Sequence, residues 1–94
     1  MIRSFKDRRT AAIFAGSFTK GVPADLALRA RSKLRLIDAA RLIEDLRLPP
    51  GNHLETLKGC RAGQHSIRVN DQWRLCFRWS NGDAMEVELV DYHG

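Results

Sequence analysis

The chain has 94 residues, a net charge of +5 at pH 7, and 29% charged against 44% hydrophobic residues, with a sequence pI of 9.9. A single domain of this size (1–94) buries roughly 60–65% of its unfolded surface, which suffices for one small core and leaves little for a deep private pocket. No apolar run approaches the roughly 18 residues that span a bilayer, and Met1-Ile2-Arg3-Ser4-Phe5-Lys6-Asp7 lacks the apolar stretch of a signal peptide, so a cytoplasmic protein working on a macromolecule across an open surface is expected.

Residues 2–5 read as a short first strand, and residues 6–16 as a weak helix with Ala11, Ala12, Phe14 and Ala15 on its apolar side. Lys20-Gly21-Val22-Pro23 punctuates the chain. Pro23 suits a helix start, and Asp25 suits its positive end. Residues 23–46 carry the clearest periodicity: Leu26, Ala30, Leu34 and Ile37 follow helical spacing, continued by Leu36, Ala40 and Ile43. This predicts an amphipathic helix or helical hairpin bent near Asp38, its other faces rich in Arg29, Arg31, Lys33, Arg35 and Arg41. The basic character is concentrated here. Residues 1–48 hold 11 Lys and Arg against 5 Asp and Glu, whereas residues 49–94 hold 5 against 6. Such a surface suits a nucleic acid or an acidic protein.

Pro49-Pro50-Gly51-Asn52 stops helix formation. Residues 64–69, 73–79 and 85–90 alternate apolar and polar side chains and are rich in β-branched and aromatic residues, which predicts three strands. Residues 54–57 are a weaker fourth, and Asn70-Asp71 and Asn81-Gly82 mark turns. The order is that of an α+β domain with helices on one face of an antiparallel sheet. Cys60 and Cys76 form no C-x-x-C pair and have no histidine at zinc-ligand spacing, so they read as reduced thiols.

Strand parity carries a chemical inference. Ile67 and Val69 can share the core face with Trp73, Leu75 and Phe77 only if Val69 lies opposite Trp73 and Ile67 opposite Leu75. The connection is then residues 70–72, and Arg68 falls opposite Arg74. Like charges so placed are destabilising and require a partner, either Glu86 and Glu88 on the next strand, facing Arg74 and Arg78, or a phosphate bound bidentately. Met85, Val87, Leu89 and Asp91 share one parity, so the strand must twist or end near Val90 for Asp91 and His93 to converge with Arg74. Trp73, Trp79 and His65 read as structural.

Leu54-Glu55-Thr56-Leu57-Lys58-Gly59, the run from Gly63 through Ile67-Arg68 and Trp73-Arg74 to Trp79, and the ending Val90-Asp91-Tyr92-His93 together resemble the HigB family of plasmid-maintenance killer toxins, within the RelE/ParE superfamily. Ile2-Arg3-Ser4-Phe5 and Gly21-Val22-Pro23 fit the same pattern, so the resemblance covers essentially the whole chain. It implies a RelE-like twisted antiparallel sheet with N-terminal helices packed on one face. It implies a type II toxin acting as a ribosome-dependent, metal-independent endoribonuclease on translated mRNA in the ribosomal A site, without a cofactor. It also implies a HigA-like helix-turn-helix antitoxin, with operator DNA met only through the antitoxin complex. Two other readings of the fold are a ParE-like non-enzymatic inhibitor of DNA gyrase and an inactive toxin serving as antitoxin-bound co-repressor.

By the same resemblance, Arg74, Asp91, Tyr92 and His93 are the catalytic candidates, and Lys58, Arg68 and Gln72 the RNA or phosphate contacts. Arg74 would stabilise a charged phosphorane. His93 would move a proton, since imidazole titrates near neutrality. Asp91 would orient His93, and Tyr92 would stack on a base or hold a hydrogen bond. The sequence departs from the family at Glu55, where some members have histidine, and at Gln72, where some have asparagine. A carboxylate at position 55 can act as base but also repels phosphate. His53, two residues earlier and of the same strand parity, is the alternative.

Overall fold

The computed structural model describes residues 1–17 and 20–92. Helix α1 (Arg8–Ala15) starts at Asp7, whose Oδ1 accepts a hydrogen bond from the Thr10 amide at 2.6 Å, the usual way a short carboxylate satisfies an orphan N–H. Helix α2 (Ala24–Ala39) begins after Pro23 and buries Leu26, Ala30, Leu34 and Ile37, as their spacing predicts. The helix ends where a bend near Asp38 is expected, and the chain continues into a 3-10 turn, Ile43–Arg47. Leu36 lies off the buried stripe and is partly exposed. No helix among the described residues is long and apolar enough to cross a membrane.

Four strands follow: β1 (Glu55–Thr56), β2 (Gln64–Arg68), β3 (Trp73–Ser80) and β4 (Asp83–Asp91). They form one antiparallel sheet in the order β1-β2-β3-β4. Ile67 pairs with Leu75 and Arg68 with Arg74, the register that parity demands. The Val69 amide donates to Trp73 O at 2.9 Å, closing the hairpin over residues 70–72, and Asn70 Oδ1 accepts from the Gln72 and Trp73 amides, each at 2.8 Å. The next hairpin turns on Asn81 and Gly82, at φ 50° and 81°, the left-handed pair that a two-residue turn requires.

Two expectations fail for a common reason. Residues 2–5 form no continuous strand; Ile2 and Phe5 make isolated parallel bridges to Ala84 and Val87 on the edge of β4. Between those bridges Glu86 adopts φ 53°, uncommon for a residue with a side chain, and the β3–β4 register shifts between Cys76 and Arg78. A bulge of this kind inserts one residue and resets alternation. Ala84, Val87 and Leu89 are therefore the buried residues of β4, and Met85 is only half-buried opposite Arg78. The bulge also breaks the ladder that the N-terminal segment would otherwise complete. Ser4 Oγ takes up the freed Glu86 amide at 2.9 Å.

Both helices pack on one face of the sheet. Ile13, Leu26, Ala30, Leu34 and Ile37 join Ile67, Leu75, Phe77, Val87 and Leu89 in one core, each large side chain contributing about 1.5–3 kcal/mol by burial. Thr10 is the buried polar link. Its Oγ1 accepts from the Leu89 amide at 3.0 Å, tying α1 to β4. Thr10→Val keeps the shape but strands that amide, so chemical denaturation should show a loss of about 1–3 kcal/mol. Thr10→Ser should lose clearly less, and equal losses for the two would mean that the methyl, not the hydrogen bond, matters.

Candidate functional site

The face of the sheet away from the helices is polar. Its register forms a row across all four strands, Glu55 opposite Ser66, Ser66 opposite Cys76 and Cys76 opposite Glu88. Arg74, one pair further along β3, reaches back onto this row. Its Nε donates to Ser66 Oγ at 2.9 Å, and its Nη2 donates to His53 O at 2.5 Å and Ser66 O at 3.4 Å. Nη1 lies 3.7 Å from Glu55 Oε1, and the guanidinium carbon sits 6.0 Å from the centroid of the Tyr92 ring. The Arg74 side chain is only 11% exposed, against 56% for Glu55. A guanidinium held on two strands and a loop carbonyl, with its last edge turned to Glu55 and Tyr92, is a preorganised cation at the floor of an open groove.

The other candidates fall into separate groups. Gln72 and Asp91 meet at the end of the sheet, Gln72 Nε2 donating to Asp91 Oδ2 at 3.0 Å. β4 runs through Val90 to Asp91, which lies opposite Trp73 and so has the parity of the helix face. Tyr92, one residue later, turns its ring toward Arg74 and gives its amide to Gln72 O at 2.7 Å. Arg68, although opposite Arg74, is ion-paired with Asp71 and lines a recess with Lys33 of α2. Lys58 is exposed at the head of a 3-10 turn, Gly59–Arg61. His93 lies outside the described residues.

His53 does not share a strand with Glu55. It closes the 3-10 turn Pro50–Asn52 with left-handed backbone angles, φ 44° and ψ 57°. It meets the groove through its carbonyl, which receives Arg74. The expected pairing of Arg78 with Glu86 is present at 2.7 Å. Arg74 does not use Glu88, which instead bonds Arg61 at 2.8 Å, while Arg61 also holds Gln64 at 3.0 Å.

Ser66 and Arg61 escaped the sequence reading. Ser66 was within reach, because it has the parity of Arg68 and lies diagonal to Arg74 once the register is set. Arg61 comes from a turn whose direction no periodicity encodes. Cys76 is fully buried in the row, and burial pushes its thiol pKa up, so it is a packing residue; Cys60 is exposed and unpaired. His65 leans on Phe77 with ring centroids 6.2 Å apart, and burial lowers its pKa. Trp73 and Trp79 pack against the core, as their parity predicts. Among the described residues, no three His, Cys, Asp or Glu side chains gather as a metal site.

An antiparallel sheet with both helices on one face and an arginine-centred groove on the other is the fold of a small RelE-like α+β protein. The solved YoeB–YefM complex from Staphylococcus aureus contains a chain that matches it with a TM-score of 0.64 and 16% identity, over 100% of this chain and 99% of that one. At that identity the likeness concerns the fold. Closer in sequence are the endoribonuclease HigB of Proteus vulgaris, 40% identical over 93 residues (99% of this chain, 100% of that one), and toxin HigB-1 of Vibrio cholerae serotype O1, 44% identical over 68 residues (72% of each). Residues 3–93 match the family described as the RelE-like toxin of type II toxin–antitoxin system HigB. The chain belongs to this family of HigB-like toxins.

Tyr92 offers a direct check on the groove. Burial, then the neighbouring Cys76, raises its hydroxyl above the usual tyrosine range, while Arg61 and Arg74 pull the other way. It is the single tyrosine of the chain, so tyrosinate absorbance reports it alone. The midpoint should lie above the ordinary value of about 10. Because the folded form holds the proton longer than the unfolded chain, this group's contribution to stability should decline as pH rises from the ordinary toward the raised value. A midpoint at the ordinary value would place the ring away from this groove, and one below it would mean that the two arginines outweigh burial.

Proposed function

We propose that this HigB-like toxin is an endoribonuclease that cuts mRNA at the Arg74 groove. The carrying observation is the Arg74 guanidinium, fixed by Ser66 and His53 O and flanked by Glu55 and Tyr92. The Proteus vulgaris relative, matched over nearly its whole length, bears the name endoribonuclease. A gyrase inhibitor needs no such fixed cation beside a base.

RNA can supply its own nucleophile. In the proposed reaction a base takes the proton of the 2′-hydroxyl, and the 2′-oxygen attacks the adjacent phosphorus. The bond to the 5′-oxygen breaks, an acid protonates that oxygen, and the products carry a 2′,3′-cyclic phosphate and a 5′-hydroxyl. Arg74 is the group for the phosphorane. Three of its hydrogen bonds are already made to the protein, so little reorganisation is left for the reaction. Glu55 is the base. Its carboxylate stands at the groove's open side, and the 3.7 Å approach to Arg74 offsets the repulsion that an isolated carboxylate would exert on phosphate. Tyr92, protonated across the physiological range, serves as a hydrogen-bond donor and a surface for a base. His93 is the acid by family resemblance, with Gln72 and Asp91 arranging the strand end that carries it. Lys58 is a further phosphate contact.

So shallow a groove cannot by itself orient a flexible strand, and the ribosomal A site supplies that alignment in this reading. The natural partner is an antitoxin, here proposed to be HigA-like with a helix-turn-helix domain through which operator DNA is met.

Cleavage of a translated reporter mRNA, mapped by primer extension, tests the assignment. Arg74→Ala should lower the rate by about 10²–10³-fold. Glu55→Gln should lower kcat by about 10²–10⁴-fold with KM little changed. A Glu55→Gln chain that cuts faster than wild type would mean that this carboxylate only competes with phosphate. Growth arrest with intact mRNA would overturn the nuclease reading altogether.

A further inference from the structure

A second cationic site lies between α2 and the end of β2. Arg29, Ser32 and Lys33 of α2 face Gly51, Arg68 and Val69 across a recess of about 270 Å³. Lys33 donates to Asn52 Oδ1. Asn52 is fully buried, and its Nδ2 donates to the carbonyls of Leu46 and Leu48 at 3.2 and 3.1 Å. The lysine is thus held by a rigid, neutral acceptor that leaves its charge uncompensated. Arg68 is bridged to Asp71, a side chain 97% exposed at the rim. Arg29 makes no side-chain hydrogen bond or ion pair among the described residues. Residues 26–37 contain no Asp or Glu, so α2 brings no carboxylate to this stretch.

Three cations therefore line one recess with a single carboxylate at its edge. The strain registers on Lys33, whose pKa is lowered first by burial and then by Arg29 and Arg68. A fold that gathers three cations against one exposed carboxylate is suited to an external anion. The donors present are two guanidiniums, an ammonium and the Ser32 hydroxyl, a set that matches the several acceptor oxygens of a phosphate.

We propose that this recess binds a phosphodiester of RNA, a second backbone contact apart from the Arg74 groove. The inference rests on the RNA-cleaving reading of that groove and extends the footprint of the RNA onto α2. A phosphate seated here would neutralise the Lys33–Arg68 pair and set the orientation in which the chain meets its substrate.

The test is the salt dependence of binding to non-cleavable 2′-O-methyl RNA and, separately, to empty ribosomes. With Lys33→Gln and Arg68→Gln combined, affinity should fall about tenfold and the log–log salt slope should shrink by about 0.7 on the single strand, one phosphate's worth. Lys33→Arg should keep the wild-type slope. Arg29→Gln, at an exposed position with no side-chain hydrogen bond or ion pair among the described residues, should lower the slope in the same direction by no more than about 0.7 and covers the case in which the double variant folds poorly. A fall with the oligonucleotide assigns the phosphate to the substrate strand, and a fall only with ribosomes assigns it to ribosomal RNA; either supports the site. Unchanged slopes in folded variants overturn it, as does weakened binding to the antitoxin alone, which would mark an acidic protein segment as the occupant. A wild-type chain that binds neither probe overturns the recess and the parent reading together, whereas loss confined to the variants' slopes tests the recess by itself.

Discussion

Arg68 and Arg74 stand opposite each other in adjacent strands, and much of the molecule's polar architecture follows from how that contact is relieved. Like charges set directly opposite in a sheet are destabilising, and a small domain has little stability with which to leave them unanswered. The two side chains are neutralised in different places. Arg68 takes Asp71 and borders the α2 recess, whereas Arg74 takes Ser66, the His53 carbonyl and Glu55. One register pair thereby supplies two cationic sites.

The two sites differ in how their charge is held. The Arg74 side chain is nearly withdrawn from water, a position that an unpaired guanidinium tolerates poorly. Its hydrogen bonds to Ser66 and His53 O repay the lost hydration and leave one edge for the groove. The left-handed turn at His53 has a purpose in this arrangement, because it aims a carbonyl at a cation. In the recess, by contrast, Asn52 fixes the lysine without neutralising it. The first arrangement favours geometry, which chemistry requires. The second favours uncompensated charge, which suits binding.

Much of this was legible from alternation alone. Because side chains in a strand have period 2, the apolar sets of β2 and β3 dictated the Ile67–Leu75 pair, the hairpin over 70–72 and the opposition of the two arginines. The buried stripe of α2 followed equally from its spacing. The failures share a cause in backbone irregularity. The bulge at Glu86 exchanges Met85 for Ala84 in the core and divides the N-terminal segment into two bridges. The turn at His53 removes it from the strand of Glu55. A glycine at either point would have signalled a left-handed residue; glutamate and histidine gave no such warning.

That bulge also settles where Asp91 and Tyr92 lie relative to the groove. With alternation reset at Glu86, Val87 and Leu89 point into the core, Asp91 follows their parity, and Tyr92 falls on the opposite one, toward Arg74. Had β4 run without the extra residue, Ala84 and Val87 could not both have been buried, and the Cys76–Glu88 pair that continues the polar row would have been lost. The strained residue at position 86 is stabilised by Ser4 and Arg78, so the N-terminal segment helps to hold the register on which the groove depends. In a chain with so small a core, the aim of Asp91 and Tyr92 is set by a backbone defect several residues upstream and by the segment that pins it.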